Sequence, residues 1–535
     1  MLLVNGSNVC FSYPGSPEII FEGISFSVYS GAKIGIVGSN GSGKTTLLKI
    51  IQNSAEKLKV GYLSQEICFS DNQSIRSYIL SAFTDLGEIY EKISLLESKI
   101  ELSEAEGFIL ASLYTDYSEK DGFTIEAEID KKIPLMGLEY CDLNGKMHLL
   151  SGGEKTKVAL LRLLITNPDI LILDEPTNHL DTETLDRLEG FLGESNTGYL
   201  IVSHDRKFLD SCCTEIWEIK DKKINIYSGN YSDYKKCKNE KFLRALETSK
   251  QLEKQISKLE IAVDKTRTEA NKMENFKPKR SFGKGKKICK RDAGSGKALL
   301  RTQNKQRAAN AMSLRLGRMT ELSDKLKPFI EKKRSLSFGE NNLRNNTVLK
   351  IEKISKKYGD NTLFDEFSLI VSNRDRLAIT GPNGSGKSTL LKMLMGIEKV
   401  DSGSYSWALQ ASIGYYSQEL ELLDPQKTVL ESVLKGQLTE ESRARTILGC
   451  LRLEKDAVLK KTSEISSGEK SKTMLASLLF DSPDVLVLDE PTNHLEIEAR
   501  EALESALENY GGTLIFVSHD RYFVEKLANN VLELS

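Results

Sequence analysis

The chain has 535 residues, 39% hydrophobic and 28% charged, which is enough to bury several cores. Its 74 Lys and Arg against 76 Asp and Glu give a net charge of −2, which taken alone argues against a nucleic-acid binder. No apolar run approaches the roughly 18 residues that span a bilayer, and eight cysteines without a CxxC spacing argue against a zinc, iron–sulfur or disulfide framework. MLLVNGSNVCF lacks the charged and apolar regions of a leader, so a cytoplasmic protein is expected. The charge balance hides an asymmetry. Residues 241–340 hold 27 basic and 11 acidic side chains, a net of +16, which leaves −18 for the other 435.

In chain order, an apolar strand (KIGIV) leads into GSNGSGKTT and then a helix-like TLLKII, the context that GxxxxGK(S/T) requires. YLSQE follows at 62–66. Residues 85–131 mix charged and apolar positions in a way that predicts two short helices forming a small arm, either a surface insertion or a contact element. Next come SGGEK at 151, an apolar strand ending in two carboxylates (DILILDEP), and VSHDR at 202.

From about 235 to 345 the pattern changes. Leu252, Ile256, Leu259 and Val263, and later Met312, Leu316, Met319, Leu322 and Leu326, recur at spacings of three and four, which predicts two helices. The Gly- and Lys-rich stretch 275–300 between them would be the tip of an antiparallel hairpin. Arms of about 34 residues would reach roughly 50 Å.

The first series then returns in the same order: GPNGSGKST at 381, YYSQE at 415, SSGEK at 466, LVLDEPTNHLE at 486 and VSHDR at 517. The last three motifs keep one offset, 315 residues, so that half of the unit has the same length in both copies. The expected fold is α/β: two tandem phosphate-loop nucleotide-binding domains, 1–234 and 346–535, joined by a basic helical linker, 235–345.

The chemistry follows from the motifs. Gly38, Ser39, Asn40, Gly41, Ser42 and Gly43, and in the second copy Gly381, Pro382, Asn383, Gly384, Ser385 and Gly386, let backbone amides close around phosphate oxygens. Lys44 and Lys387 neutralise the β and γ phosphates. Thr45 and Ser388 are placed to ligate magnesium, with Thr46 and Thr389 beside them. Asp174 and Asp489 complete the metal site, while Glu175 and Glu490 orient and deprotonate water. Gln65 and Gln418 are candidates to touch both metal and water, and His204 and His519 to donate to the γ-phosphate. GSGK at 294–297 has Arg291 in place of the first Gly and Ala298 in place of the hydroxyl residue, so it reads as basic loop. Residues 272–318 carry 15 Lys or Arg against Glu274 and Asp292, enough to track phosphates by counterion release. Lys277, Lys279, Arg280, Lys284, Lys286, Lys287, Lys290 and Arg291 are the candidate RNA contacts.

Phosphate loop, Gln, SGGE, DEP and His in this order, twice, resemble an ATP-binding-cassette protein with two nucleotide-binding domains. That resemblance implies ATP sandwiched between domains. Lys44 would share one molecule with Ser466, Ser467 and Gly468, and Lys387 the other with Ser151, Gly152 and Gly153. It also implies a stacking role on adenine for Tyr13 and Tyr358, with a surface tyrosine as the lesser alternative. Ser467 stands where the first copy has Gly152, and Glu496 where it has Asp181, so unequal sites are expected, with slower hydrolysis at Lys44.

Tandem domains, DEPTNHL in both and a charged helical linker are similar to the ABC-F family. That likeness implies a monomer with an intramolecular cassette pair, acting on the ribosome near the tRNA exit site, its tip near peptidyl-tRNA and large-subunit rRNA. The small arm, the extended linker and a chain ending 16 residues after His519 favour the antibiotic-protection branch. The alternatives are a housekeeping translation factor and the ATPase subunit of a membrane transporter.

Overall fold

The computed structural model describes residues 1–535 except Ser16, Glu18, Glu56, Gln65, Glu66, Cys68, Asp71, Asn72, Asn178, His179, 275–291, 327–345, Asp360, 418–422, Glu454, Lys455, His494 and Ser535. Residues 1–232 and 333–535 form one compact unit and 233–332 a second.

Each copy of the repeat builds a parallel sheet in the same strand order. In the first, Val60–Leu63, Ile170–Asp174, Gly198–Val202, Lys33–Val37 and Glu215–Lys220 run parallel, and Lys223–Ser228 adds an antiparallel edge. In the second the order is Ile413–Tyr416, Val485–Asp489, Thr513–Val517, Arg376–Thr380 and Asn530–Glu533. Strands Ile170–Asp174, Gly198–Val202, Val485–Asp489 and Thr513–Val517 are buried at every residue. That explains their unbroken apolar runs, since a parallel strand covered on both faces has no solvent side to alternate with.

The helices after the phosphate loops, Lys44–Ser54 and Lys387–Leu394, pack on these sheets through Leu47, Leu48 and Ile51 and through Leu390, Leu391 and Leu394. A smaller antiparallel sheet, Leu2–Ser12 with Ile19–Tyr29, contributes Phe21 and Phe26 to the same core. Its counterpart has three strands, with Thr347–Tyr358 between Asn361–Ser372 and Ser402–Trp407. Doubly wound sheets of this kind leave the carboxyl ends of their central strands free for ligands.

The arm contains three helices where two were expected: Leu86–Glu97, Glu104–Glu119 and Gly122–Lys132. Ser103 caps the second through a reciprocal box with Glu106, and the chain reverses at Asp121, whose φ is +58°. The run from Phe108 to Phe123 therefore spans one helix, a left-handed turn and the start of another.

The described residues of the second unit form helices Tyr231–Glu274 and Asp292–Leu326, of 44 and 35 residues; the first is longer than the arms of about 34 expected from sequence and the second matches them. Positions 249, 252, 256, 259 and 263 of the first are shielded, as are 309, 312, 316, 319 and 323 of the second, a three-four alternation that makes a heptad seam. Leu322 departs from the expected stripe and is 48% exposed, while Ser323 takes the seam position, because the alternation from Met319 falls on 323. Residues 275–291 of the expected hairpin tip, with its eight basic residues, lie outside the described residues, whereas 292–300, including the GSGK expected as loop, form the start of the second helix. Among the described residues, no helix is long and apolar enough to cross a membrane.

Candidate active site

Both phosphate loops leave the end of a central strand and enter a helix through a glycine in left-handed geometry, Gly43 at φ +98° and Gly386 at φ +90°. A Cβ on Gly43 would lie 2.7 Å from Ile20, and one on Gly381 (φ +143°) 2.2 Å from the Leu534 carbonyl, so only glycine fits. Lys44 Nζ donates to the carbonyls of Gly38 (2.8 Å) and Ser39 (3.2 Å) and to Asn40 Oδ1 (3.4 Å). Lys387 does the same to Gly381 (2.8 Å) and Pro382 (2.7 Å). Burial lowers the pKa of both lysines against the pull of nearby carboxylates. The Ser42 and Ser385 hydroxyl oxygens are buried without a hydrogen-bond partner among the described residues, which suits a cradle built for phosphate oxygens.

Thr45 Oγ1 donates to Asp174 Oδ2 at 2.8 Å, and Ser388 Oγ to Asp489 Oδ1 at 3.0 Å. Each is a pair of hard oxygens at the foot of a phosphate loop, which fits a magnesium ion that takes its remaining ligands from water and phosphate. Burial raises both aspartates, Asp489 to about 6, and the hydroxyls oppose the rise.

One residue further on, Glu175 and Glu490 adopt φ of +52° and +50°, strained for a side chain of that size. Their amides are tied to Val202 and Val517 carbonyls at 2.8 and 3.0 Å. Each carboxylate faces a histidine from the next strand. His204 lies 3.2 Å from Glu175 through Nε2 and donates its amide at 3.3 Å; His519 repeats this on Glu490 at 3.3 and 3.3 Å. Burial lifts Glu175 to about 7 against the field of Lys44 and Arg500, and burial holds His204 well below the ordinary imidazole value. A carboxyl near neutrality is matched to taking a proton from water, and a neutral imidazole keeps one N–H to donate.

Ser151 and Ser466 begin helices Gly152–Ile165 and Ser467–Asp481, each closing a capping box with Glu154 or Glu469. SGGE is thus a helix start whose amides and dipole suit an anion. Ser467 occupies the first helical position with an exposed side chain and no positive φ, so the backbone accepts it without strain.

The two copies face each other. A cavity of about 510 Å³ is lined by Ser151, Gly152 and Gly153 of the first and by Asn383, Lys387, Ser388, Thr389, Glu490 and His519 of the second. On the other side, Glu496 of the second copy accepts from the Asn40 amide at 3.1 Å. Tyr13 Oη sits 3.1 Å from Thr46 Oγ1, beside the phosphate-loop helix. Tyr358 lies instead under Lys356, whose Nζ is 5.0 Å from the ring centroid. Gln65 and Gln418 lie outside the described residues.

Sequence reasoning missed the charges that join the copies. Arg206 is buried against Glu504, and its counterpart Arg521 pairs with Glu189 and, at 2.6 Å, with Asp186. Both arginines belong to the VSHDR motif and both glutamates keep the 315-residue offset, so the repeat already held the signal.

The family described as ABC transporter matches residues 21–178 and 364–493, and a second model of that description matches 217–282. The chain is 32% identical to two relatives, over 550 and 537 aligned residues. ABC transporter F family member 5 of Arabidopsis thaliana aligns with 98% of this chain and 76% of its own length, and the energy-dependent translational throttle protein EttA of Haemophilus influenzae with 96% and 89%. It is 30% identical to the ribosome protection protein VmlR of Bacillus subtilis, over 98% of this chain and 85% of that protein. A solved complex of archaeal ribosomal stalk protein aP1 with ribosome recycling factor aABCE1 shares the fold, with a TM-score of 0.59 at 18% identity, over 98% of this chain and 87% of that one. Cassette models matching more than half of the chain, together with F-family relatives aligned along nearly all of it, establish that the protein belongs to the ABC-F family of ATP-binding-cassette ATPases.

Proposed function

We propose that this ATPase is cytoplasmic, binds the ribosome near the tRNA exit site and uses its linker tip near the peptidyl-transferase centre to protect against lincosamide, pleuromutilin or streptogramin A antibiotics. The observation that carries the reading is the net charge of +16 on residues 241–340, set between two net-acidic cassettes. Lys277, Lys279, Arg280, Lys284, Lys286, Lys287, Lys290 and Arg291 would meet rRNA or peptidyl-tRNA phosphates. A relative named for ribosome protection, aligned over 98% of this chain, supports the choice.

In this reading ATP joins the cassettes and hydrolysis releases them. Lys44 and Lys387 bind the phosphates, and the helix starts at Ser466 and Ser151 cap them from the opposite cassette. Glu175 and Glu490 take the proton of the attacking water, and His204 and His519 donate to the γ-phosphate. Thr45 with Asp174 and Ser388 with Asp489 would hold magnesium, which would supply charge neutralisation.

The test replaces residues 277–300 by a short neutral turn and measures ATPase rate, ribosome co-sedimentation and drug susceptibility of cells expressing the variant. Basal ATPase activity is retained and protection disappears. Protection that survives intact overturns the reading. A housekeeping role in translation is the second reading, favoured by the relative named as a translational throttle. It predicts an unchanged susceptibility panel together with an altered rate of peptide synthesis.

A further inference from the structure

The two sites differ in what the opposite cassette sends into them. Asp181, after the first DEPTNHL, turns toward its own domain: it caps Thr184 at 2.9 Å and pairs with Lys157 at 3.1 Å. Glu496, its counterpart, makes no such cap and reaches across to the Asn40 amide. Four residues on, the contrast sharpens. Leu185 of the first cassette is buried and apolar, and its counterpart at the constant offset is Arg500.

Arg500 is almost fully enclosed, with 10% of its side chain exposed. Within its own cassette Nε donates to the Leu495 carbonyl at 2.9 Å and Nη1 to Asp520 Oδ2 at 3.2 Å. Nη1 also donates, across the cassette boundary, to the carbonyl of His204 at 3.1 Å. The carbonyl so held belongs to the residue whose amide and imidazole both face Glu175. His519 faces Glu490 with nearly identical distances, but Leu185 has no donor to offer its carbonyl. The histidine–glutamate geometry is therefore common to both sites, and the clamp on its backbone belongs to one.

We propose that Arg500 is a positioning residue for ATP hydrolysis at the Lys44 site. Delivered by the opposite cassette, it fixes the His204 carbonyl only while the cassettes are together. Besides the capping that both sites need, this gives the Lys44 site a dependence on closure that Leu185 does not supply at the Lys387 site. The clamp works against the expected slowing by Ser467, so the two departures from symmetry meet at one site with opposite effects.

The inference rests on His204 and His519 serving the two sites separately, and the experiment tests that premise in its own arm. ATPase kcat and KM are measured on the full chain for His204→Ala, His519→Ala, and each combined with Arg500→Leu. In the His519→Ala background Arg500→Leu lowers kcat about tenfold with KM within about twofold, whereas in the His204→Ala background it changes kcat less than about twofold. Arg500→Lys, which keeps the charge and can reach one acceptor, stays within about threefold of the parent. Equal losses in both backgrounds, or a loss confined to KM, overturn the proposal, and so does an Arg500→Lys variant as impaired as Arg500→Leu. If His204→Ala alone leaves turnover unchanged, the placement of His204 in the site fails instead. Should Arg500→Leu not fold, the comparison is made with Arg500→Gln in the same two backgrounds and read by the same criteria.

Discussion

Breaking the buried Arg206–Glu504 pair weakens cassette closure far more than breaking its pseudo-symmetric partner. Arg206 and Glu504 side chains are 3% and 2% exposed, and the guanidinium also stacks 4.7 Å above the Tyr522 ring. Removing one member of such a pair strands a charge in a dry interface, at a cost of about 3–5 kcal/mol. Asp520 and Glu501 remain 3.9 and 3.8 Å from the guanidinium and recover part of this. Glu504→Gln should then cost about 3 kcal/mol, or roughly 150-fold in the closing equilibrium. Arg521, by contrast, is 12% exposed and its partners Glu189 and Asp186 17% and 61%. Glu189→Gln should cost about 1 kcal/mol, close to fivefold. The assay places one dye on each cassette in a Glu175→Gln/Glu490→Gln background and follows energy transfer against ATP concentration. A half-saturation point that moves equally for the two variants, or that ignores Glu504→Gln, refutes the reasoning.

Glu175→Gln with Glu490→Gln leaves ATP binding intact and abolishes turnover, because the phosphate loops bind and the carboxylates drive attack; retained steady-state hydrolysis counts against the assignment. Ser467→Gly, by emptying the helix start proposed to cap the Lys44 site, raises turnover about twofold, and with Ser467 in place Glu175→Gln costs less turnover than Glu490→Gln. Asp181→Ala removes a helix cap and leaves Lys157 unpaired in a buried site, lowering the urea midpoint by an amount equivalent to about 2–3 kcal/mol at neutral pH. Burial raises Asp181, but Thr184 and Lys157 outweigh it and hold the carboxyl at about 2. The wild-type advantage from this depressed group is therefore complete above the ordinary aspartate range and is lost as pH falls through about 2, so the gap between wild type and variant narrows in acid.

The sequence by itself determined the repeat, the strand–loop–helix context of each phosphate motif and the paired carboxylates. Those signals are local: a glycine that must take positive φ or an apolar strand buried on both faces is written within a few residues. The helical character of the linker was legible for the same reason, as a heptad stripe. The third arm helix was not, because a left-handed turn at Asp121 interrupts a run whose apolar periodicity continues through it. Only the tertiary structure decided which surfaces of the two copies meet. Arg206 with Glu504, Glu496 with Asn40 and Arg500 with His204 lie 298, 456 and 296 residues apart, and such pairings depend on how two folded domains dock. A constant offset shows which residues are equivalent, but a side chain's burial and its partner across an interface exist only once both domains are in place, which is why the inequality at Leu185 and Arg500 carried no meaning until His204 was seen beside it.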